Sequence, residues 1–67
     1  MSNLKRLREE KKFSQGQLSI KSKVPVRNIK AYEQQYRNIN KASAATLSKL
    51  ATALDCSIDD LMEDDPD

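Results

Sequence analysis

Apolar residues recur at helical spacing along most of the chain, and short polar segments separate the runs. The runs predict helices over about residues 3–11, 15–22, 25–34 and 42–54, followed by a short fifth helix from about residue 58. Leu4, Leu7 and Leu18 are expected to point inward from the first two helices. The inward positions predicted for the last two are Leu47, Leu50, Ala51, Leu54, Ile58 and Leu61. The predicted fold class is therefore all-α.

Several helix ends carry their own sequence signals. Ser14-x-x-Gln17 and Ser57-x-x-Asp60 are capping-box patterns, in which two side chains bind the free N–H groups at the start of a helix. Pro25 suits the start of the third helix, because the N–H group that proline lacks would be unpaired there. Residues 35–42 are expected to form a polar loop with Ile39 as its apolar anchor.

The third helix has two sides of different character. The side expected to be buried comprises Val24 or Pro25, Ile29, Tyr32 and Tyr36. The opposite side is small, polar and cationic, and its positions i, i+3, i+4 and i+7 are Arg27, Lys30, Ala31 and Gln34. A tight turn joins this helix to the helix before it. A helix of this kind, held at a fixed angle by a partner helix, suits the major groove of DNA.

Composition narrows the chemistry that the chain can perform. With 67 residues it forms one domain at most, and it contains no His, one Cys and one Gly. The chain therefore lacks the residues needed for His-based acid–base catalysis, for a His or Cys zinc site and for a glycine-rich phosphate loop. We therefore expect no enzyme activity, no catalytic residue, no metal and no cofactor. No apolar run approaches the roughly 18 residues of a membrane span, so we expect no membrane partner.

Charge is strongly divided along the chain. Residues 1–54 hold all 12 Lys and Arg with three acids, a net charge of +9, whereas residues 55–67 hold seven acids and no base. A basic helical body is typical of proteins that bind a polyanion. We divide the chain into a domain over residues 1–62 and an acidic, frayed end over residues 63–67. That end is either a solvated terminus or a segment that repels DNA and weakens non-specific binding.

The ordered set of these motifs resembles the lambda-repressor-like, Cro-type helix-turn-helix family, often called the XRE family. The segment LKRLREEKKFSQGQLSIKSKVPVRNIKAYEQ is similar to the family pattern of Leu in the first helix, Ser-Gln opening the second, Val in the turn, then Ile and aromatic-Glu. The segment TLSKLATALDCSIDDLM is similar to the last two helices. The resemblance covers about residues 3–62 and implies a five-helix domain in which helices 2 and 3 form the helix-turn-helix.

The resemblance also implies roles for individual side chains. Residues at positions that approach base edges are Pro25, Val26, Arg27, Asn28 and Ala31. Residues at positions that contact or flank the DNA backbone are Gln15, Lys30, Gln34, Arg37 and Asn38. Arg8 and Glu33 match a family pair that joins the first helix to the third. The chemistry agrees, because Arg binds guanine and Asn binds adenine through two hydrogen bonds each.

The chain departs from the family at four helix ends where glycine with positive φ is common. The residues at these ends are Lys12, Lys23, Gln35 and Asp55. A side chain in the left-handed conformation costs on the order of 1 kcal/mol. Either the turns differ from those of the family or the domain tolerates the strain. Lys23 matters most, because it lies inside the turn of the helix-turn-helix.

The resemblance implies a sequence-specific DNA-binding transcriptional regulator, by default a repressor, acting as a homodimer on a two-fold site in double-stranded DNA. Family dimers usually use the fourth and fifth helices and the nearby loop, here about residues 40–44 and 58–62. The implied location is the cytoplasm of a bacterium, with the gene bacterial or phage-encoded. The alternative is an antitoxin or accessory module that binds another protein, such as a toxin. An exposed Ile20 and the acidic fifth helix would support it.

Overall fold

The computed structural model describes residues 2–63, and every regular element within this range is helical. The α-helices are α1 (Asn3–Glu10), α2 (Gln15–Ser22), α3 (Val26–Glu33), α4 (Ala44–Leu54) and α5 (Ile58–Leu61). A short 3₁₀ helix, Ile39–Lys41, lies between α3 and α4. The predicted all-α fold with five α-helices is confirmed. The longest of the helices in residues 2–63 has 11 residues, and none could cross a bilayer.

Serine hydroxyls cap four of the five α-helices. The capping residues are Ser2, Ser14, Ser43 and Ser57, and each accepts a hydrogen bond from the backbone N–H three residues later. Both predicted capping boxes are formed, with Gln17 and Asp60 as the reciprocal side chains. α3 instead begins directly after Pro25, which makes no side-chain capping bond.

The core is a single cluster shared by all five helices. α2 packs against α3 and α4, α5 packs against α4 and α1, and α1 packs against α3. The buried apolar residues are Leu4, Leu18, Val24, Ile29, Tyr32, Ile39, Leu47, Leu50, Ala51, Leu54 and Leu61. Full burial of one such Leu or Ile contributes about 1.5–3 kcal/mol. Because Leu18, Val24 and Ile29 all belong to it, the core fixes α2 against α3.

All four helix ends that lack glycine keep the left-handed backbone. The φ angles are 61° at Lys12, 62° at Lys23, 63° at Gln35 and 54° at Asp55. The backbone N–H of Lys23 closes α2 by donating to the Ser19 carbonyl at 2.8 Å. The turns therefore have the geometry that glycine favours, and the domain tolerates the strain rather than changing its loops.

Three local expectations need correction. Ile58 was expected to face inward but is 38% exposed, because α5 makes little more than one turn and buries Leu61 instead. α4 begins two residues later than expected, since Ser43 caps it. Part of the expected loop is the 3₁₀ helix, whose Ile39 is buried as predicted.

Three side chains from other parts of the molecule hold the end of the described chain. Asn3 Nδ2 donates to the Met62 carbonyl at 2.7 Å, and the Glu63 N–H donates to Asn40 Oδ1 at 2.8 Å. Gln35 Nε2 also donates to the Glu63 carboxylate at 3.2 Å. The rest of the predicted acidic end, residues 64–67, lies outside the described residues.

Candidate nucleic-acid interface

α3 presents a polar, cationic side to solvent and an apolar side to the core. Ile29 and Tyr32 are buried, while Arg27, Lys30 and Gln34 are exposed. At the start of the helix Pro25 and Val26 are also exposed. Asn28 and Ala31 are half-buried at the boundary between the two sides. The candidate base-contacting residues thus lie together, with Pro25 directly before α3 and the other four on the helix.

The turn before α3 is held from within. The Ser19 hydroxyl donates to the Val24 carbonyl at 2.7 Å, and the Val24 N–H donates to the Ser22 hydroxyl at 3.2 Å. Val24 itself is buried between the helices. These bonds span the left-handed Lys23 and fix the angle between α2 and α3.

A buried ion pair holds the other end of α3. Arg8 Nε and Nη2 donate to the two carboxylate oxygens of Glu33 at 2.7 and 3.0 Å, and the two side chains are 11% and 3% exposed. Arg8 Nη1 donates to the Phe13 carbonyl at 2.7 Å. The hydrogen bond to Glu33 raises the pKa of Arg8 further. The predicted pair is present, and it links α1, the segment before α2 and the end of α3.

Gln15 joins the same cluster, a contact that the sequence did not predict. Gln15 is the first residue of α2, and its Nε2 donates to Glu33 Oε1 at 3.1 Å. The two residues are 18 positions apart in the sequence, so no helical periodicity reveals this contact. The bond orients the Gln15 amide at the positive end of the α2 dipole, where a phosphate would be favoured.

Arg37 lies back along α3 although it follows the helix in sequence. Its guanidinium carbon is 5.5 Å from the centroid of the Tyr32 ring, and Nη1 donates to Asn28 Oδ1 at 3.4 Å. The bond to Asn28 is long and exposed, so it is weak. Asn38 has a different local task, since its Oδ1 accepts the Asn40 N–H and caps the 3₁₀ helix.

Tyr36 was expected on the buried side of the third helix, and this is wrong. α3 ends at Glu33, and the left-handed Gln35 turns the chain so that helical spacing no longer applies. The N–H groups of Tyr36 and Arg37 both donate to the Ala31 carbonyl, at 2.9 and 3.2 Å. The Tyr36 side chain is left 81% exposed beside Arg37.

Acidic residues are scarce in the segment of the chain that forms this surface. Between residues 11 and 54 the only acid in the sequence is Glu33, and its charge is buried against Arg8. The exposed side of α3 therefore carries cations, and residues 11–54 place no exposed carboxylate beside them. Within residues 2–63, no group of three or more His, Cys, Asp or Glu residues could hold a metal ion.

Two short helices joined by a fixed left-handed turn, with a cationic exposed side on the second, define a helix-turn-helix DNA-binding domain. A family model for the Cro/C1-type helix-turn-helix DNA-binding domain matches residues 3–67. The chain belongs to this family, and α2 and α3 are its helix-turn-helix. No curated protein matches the chain.

Proposed function

We propose that this DNA-binding regulator is a sequence-specific transcriptional repressor that inserts α3 into the major groove. The observation that carries the proposal is the pose of α3. Its cationic side is exposed, while the turn at Lys23 fixes one end and the Arg8–Glu33 pair fixes the other. A rigid helix of this kind can present a few side chains to base edges without first having to be ordered.

The base-contacting set is Pro25, Val26, Arg27, Asn28 and Ala31. Arg27 is exposed and suited to guanine O6 and N7, and Val26, 39% exposed, is suited to a thymine methyl. Asn28 reads adenine once its oxygen is released from Arg37. The backbone-contacting set is Gln15, Lys30, Gln34, Arg37 and Asn38. Its charged members supply affinity that depends on salt more than on sequence.

The working form is a homodimer on a two-fold operator. One copy offers too few base-reading side chains for high specificity, and two half-sites about one helical turn apart double the number. Repression then follows from occlusion of the site. The compartment that fits such a regulator is the cytoplasm of a bacterium. The gene would be bacterial or phage-encoded.

A paired substitution tests the proposal. Wild type, Arg27→Ala and Lys30→Ala are titrated, over a range of salt concentrations, onto a duplex selected from a randomised pool and onto a scrambled duplex. We expect Arg27→Ala to lose about 1–3 kcal/mol on the selected duplex alone. Lys30→Ala should weaken both duplexes similarly and reduce the salt slope by about one.

Lys5→Ala is the matched control, because it removes an exposed charge from α1 and not from α3. It should change neither the specificity ratio nor the apparent site. If selection recovers no preferred sequence, or if Arg27→Ala weakens both duplexes equally, α3 is not a sequence reader.

An antitoxin or accessory module is the second candidate, favoured by one observation. Ile20 is 81% exposed on α2, and it lines an apolar groove together with Phe13. If the main partner is another protein, the affinity for DNA should depend on salt concentration no more steeply than the affinity of a generic basic peptide does. The same titrations therefore separate the two candidates.

A further inference from the structure

An apolar groove lies beside α2, on the side of that helix opposite its proposed DNA contact. Phe13, Gln17, Ile20 and Lys21 line it, and we call these four residues the α2 groove. At about 100° per residue, its three positions on α2 lie about 140–240° around the helix from Gln15. None of the four residues is among those proposed to contact DNA. In the proposed DNA complex the groove therefore stays open to solvent.

Two side chains give the α2 groove its apolar surface. Ile20 is 81% exposed, and the Phe13 ring is half-buried. The Lys21 ammonium lies 5.4 Å from the centroid of the Phe13 ring, a cation–π distance that holds a charge at the groove edge. The volume of the groove is about 220 Å³, below the roughly 300–1,000 Å³ of small-molecule pockets. The groove therefore suits one large apolar side chain of a partner better than a whole small molecule.

The surroundings of the α2 groove are cationic. Lys12 directly precedes Phe13 and is exposed, and α2 contains no acid. An adjoining cleft is lined by Lys21 together with Lys23 of the turn and Lys49 of α4. A complementary partner must therefore bring an apolar side chain flanked by carboxylates.

The candidate partners within this chain do not fit. A second copy placed groove to groove would bring lysines against lysines, which is unfavourable. The acidic α5 lies in the region that dimers of this family usually use, so the proposed homodimer covers it. Residues 64–67 consist of three Asp and one Pro, and they bring no large apolar side chain. The partner is therefore a different protein.

We propose that the α2 groove docks an acidic amphipathic helix of a second protein. Docking by an added β-strand is not open to this domain, since residues 2–63 contain no strand. In the helix-in-groove mode, one large aliphatic side chain lies against Phe13 and Ile20, and carboxylates one turn away face Lys21 and Lys49. A regulator that docks a helix in this way holds a second protein while it is bound to DNA. Only this last step rests on the proposed function.

Binding through so small a surface is weak. One anchoring side chain with its flanking ion pairs covers less than the roughly 1,200 Å² of a stable interface. For a free peptide we therefore expect a Kd on the order of 0.1 mM. Chemical shifts of the ¹⁵N-labelled protein detect such an affinity and also report which amides the peptide approaches.

The probe is a synthetic acidic helix with leucines along one face and glutamates on the other, titrated onto the labelled protein. The shift changes should be centred on the amides of the α2 groove. Two matched peptides separate the contributions, one with Ser in place of Leu and the other with Gln in place of Glu. Each should bind about tenfold more weakly or worse, because the first lacks the apolar anchor and the second lacks the charge.

Substitutions in the protein test the same two contributions. Ile20→Ser should weaken binding of the acidic peptide about tenfold, because it removes apolar surface without changing the charge. Tyr36→Ser is the matched control, since Tyr36 is also 81% exposed but lies beyond the end of α3, and it should leave the affinity unchanged. Lys21→Glu should weaken binding, whereas Lys5→Glu makes the same change in net charge on α1 and should have little effect.

The last measurement repeats the peptide titration with the selected duplex bound, at about 0.15 M salt. The peptide should bind within about threefold of its affinity for the free protein, since charges more than about 8 Å apart are screened. Displacement of the peptide by DNA would place it on the cationic side of α3 and overturn the docking site. If no duplex is preferred in the DNA titrations while the peptide binds as expected, only the proposed function fails.

Three other results would also overturn the proposal. Equal binding of the acidic peptide to wild type and Ile20→Ser would show attraction by charge alone. An absence of shift changes at about 1 mM peptide, tenfold above the expected Kd, would mean that the groove takes no such helix. A change in the protein's own association caused by Ile20→Ser would show instead that the groove joins two copies of this chain.

Discussion

Replacing Lys23 by glycine should stabilise the domain, even though Lys23 lies inside the helix-turn-helix. Lys23 has φ 62° and ψ 25°, and its side chain is exposed, so little packing is lost with it. A β-carbon in this conformation costs about 1–2 kcal/mol, whereas glycine loses about 0.5–1 kcal/mol more chain entropy on folding. The free energy of unfolding should therefore rise by about 0.5–1 kcal/mol.

Thermal and urea unfolding measure this change. For a domain of this size the melting temperature should rise by about 2–8 °C, and the urea midpoint should rise with an unchanged m-value. Lys23→Ala is the matched control, because it removes the same charge but keeps the β-carbon. Lys49→Gly, at an exposed position within α4, should instead lose about 1 kcal/mol. If Lys23→Gly is no more stable than Lys23→Ala, the left-handed turn is not a source of strain.

Two further substitutions test interactions that hold the fold. Arg8→Ala should destabilise the domain by about 3 kcal/mol, because it leaves the Glu33 carboxylate buried without its cation. The control is Arg6→Ala, which breaks an exposed pair with Glu10 and should cost under about 1 kcal/mol in the same thermal melts. Equal losses of stability in the two variants would contradict the reasoning. Hydrogen bonds from the Ser57 backbone and hydroxyl hold the pKa of Asp60 below its usual value. The ionised Asp60 therefore stabilises the folded domain at pH values above its unfolded pKa of about 4. This stabilisation disappears as the pH falls through the pKa of Asp60 in the folded state. Asp60→Asn should thus be less stable than wild type at neutral pH but lose less stability on acidification, and parallel stability–pH curves would show that Asp60 is not responsible.

Local signals in the sequence predicted most of the fold. α2 begins at Gln15 as expected, because the Ser14 capping box marks its start, and it ends at Ser22 as expected although Lys23 stands where glycine is common. The Arg8–Glu33 pair came from the family resemblance, and no local rule would have found it. The Gln15–Glu33 bond was missed for the same reason, since it depends on how α2 and α3 pack. Tyr36 was misplaced because helical spacing was carried past a left-handed residue.

The interactions that fix α3 are largely separate from the side chains expected to read DNA. Lys23 fixes the start of the helix through its backbone, and Glu33 fixes the end through Arg8 and Gln15. Arg27 and Lys30 are exposed and lie outside the core. Substitutions at these two positions should therefore change binding while leaving the melting temperature nearly constant, whereas Glu33→Ala should reduce both.

Asn28 differs from Arg27 and Lys30, because it takes part both in a contact within the protein and in the proposed base contact. Its oxygen accepts a bond from Arg37, whose guanidinium also lies against Tyr32 of the core. In the proposed complex, a base contact by Asn28 would free Arg37 for a phosphate, so the two contacts should form together. A double-mutant cycle of Asn28→Ala and Arg37→Ala on DNA binding should show a coupling energy of about 0.5 kcal/mol or more. Additive losses would mean that the two side chains bind DNA independently.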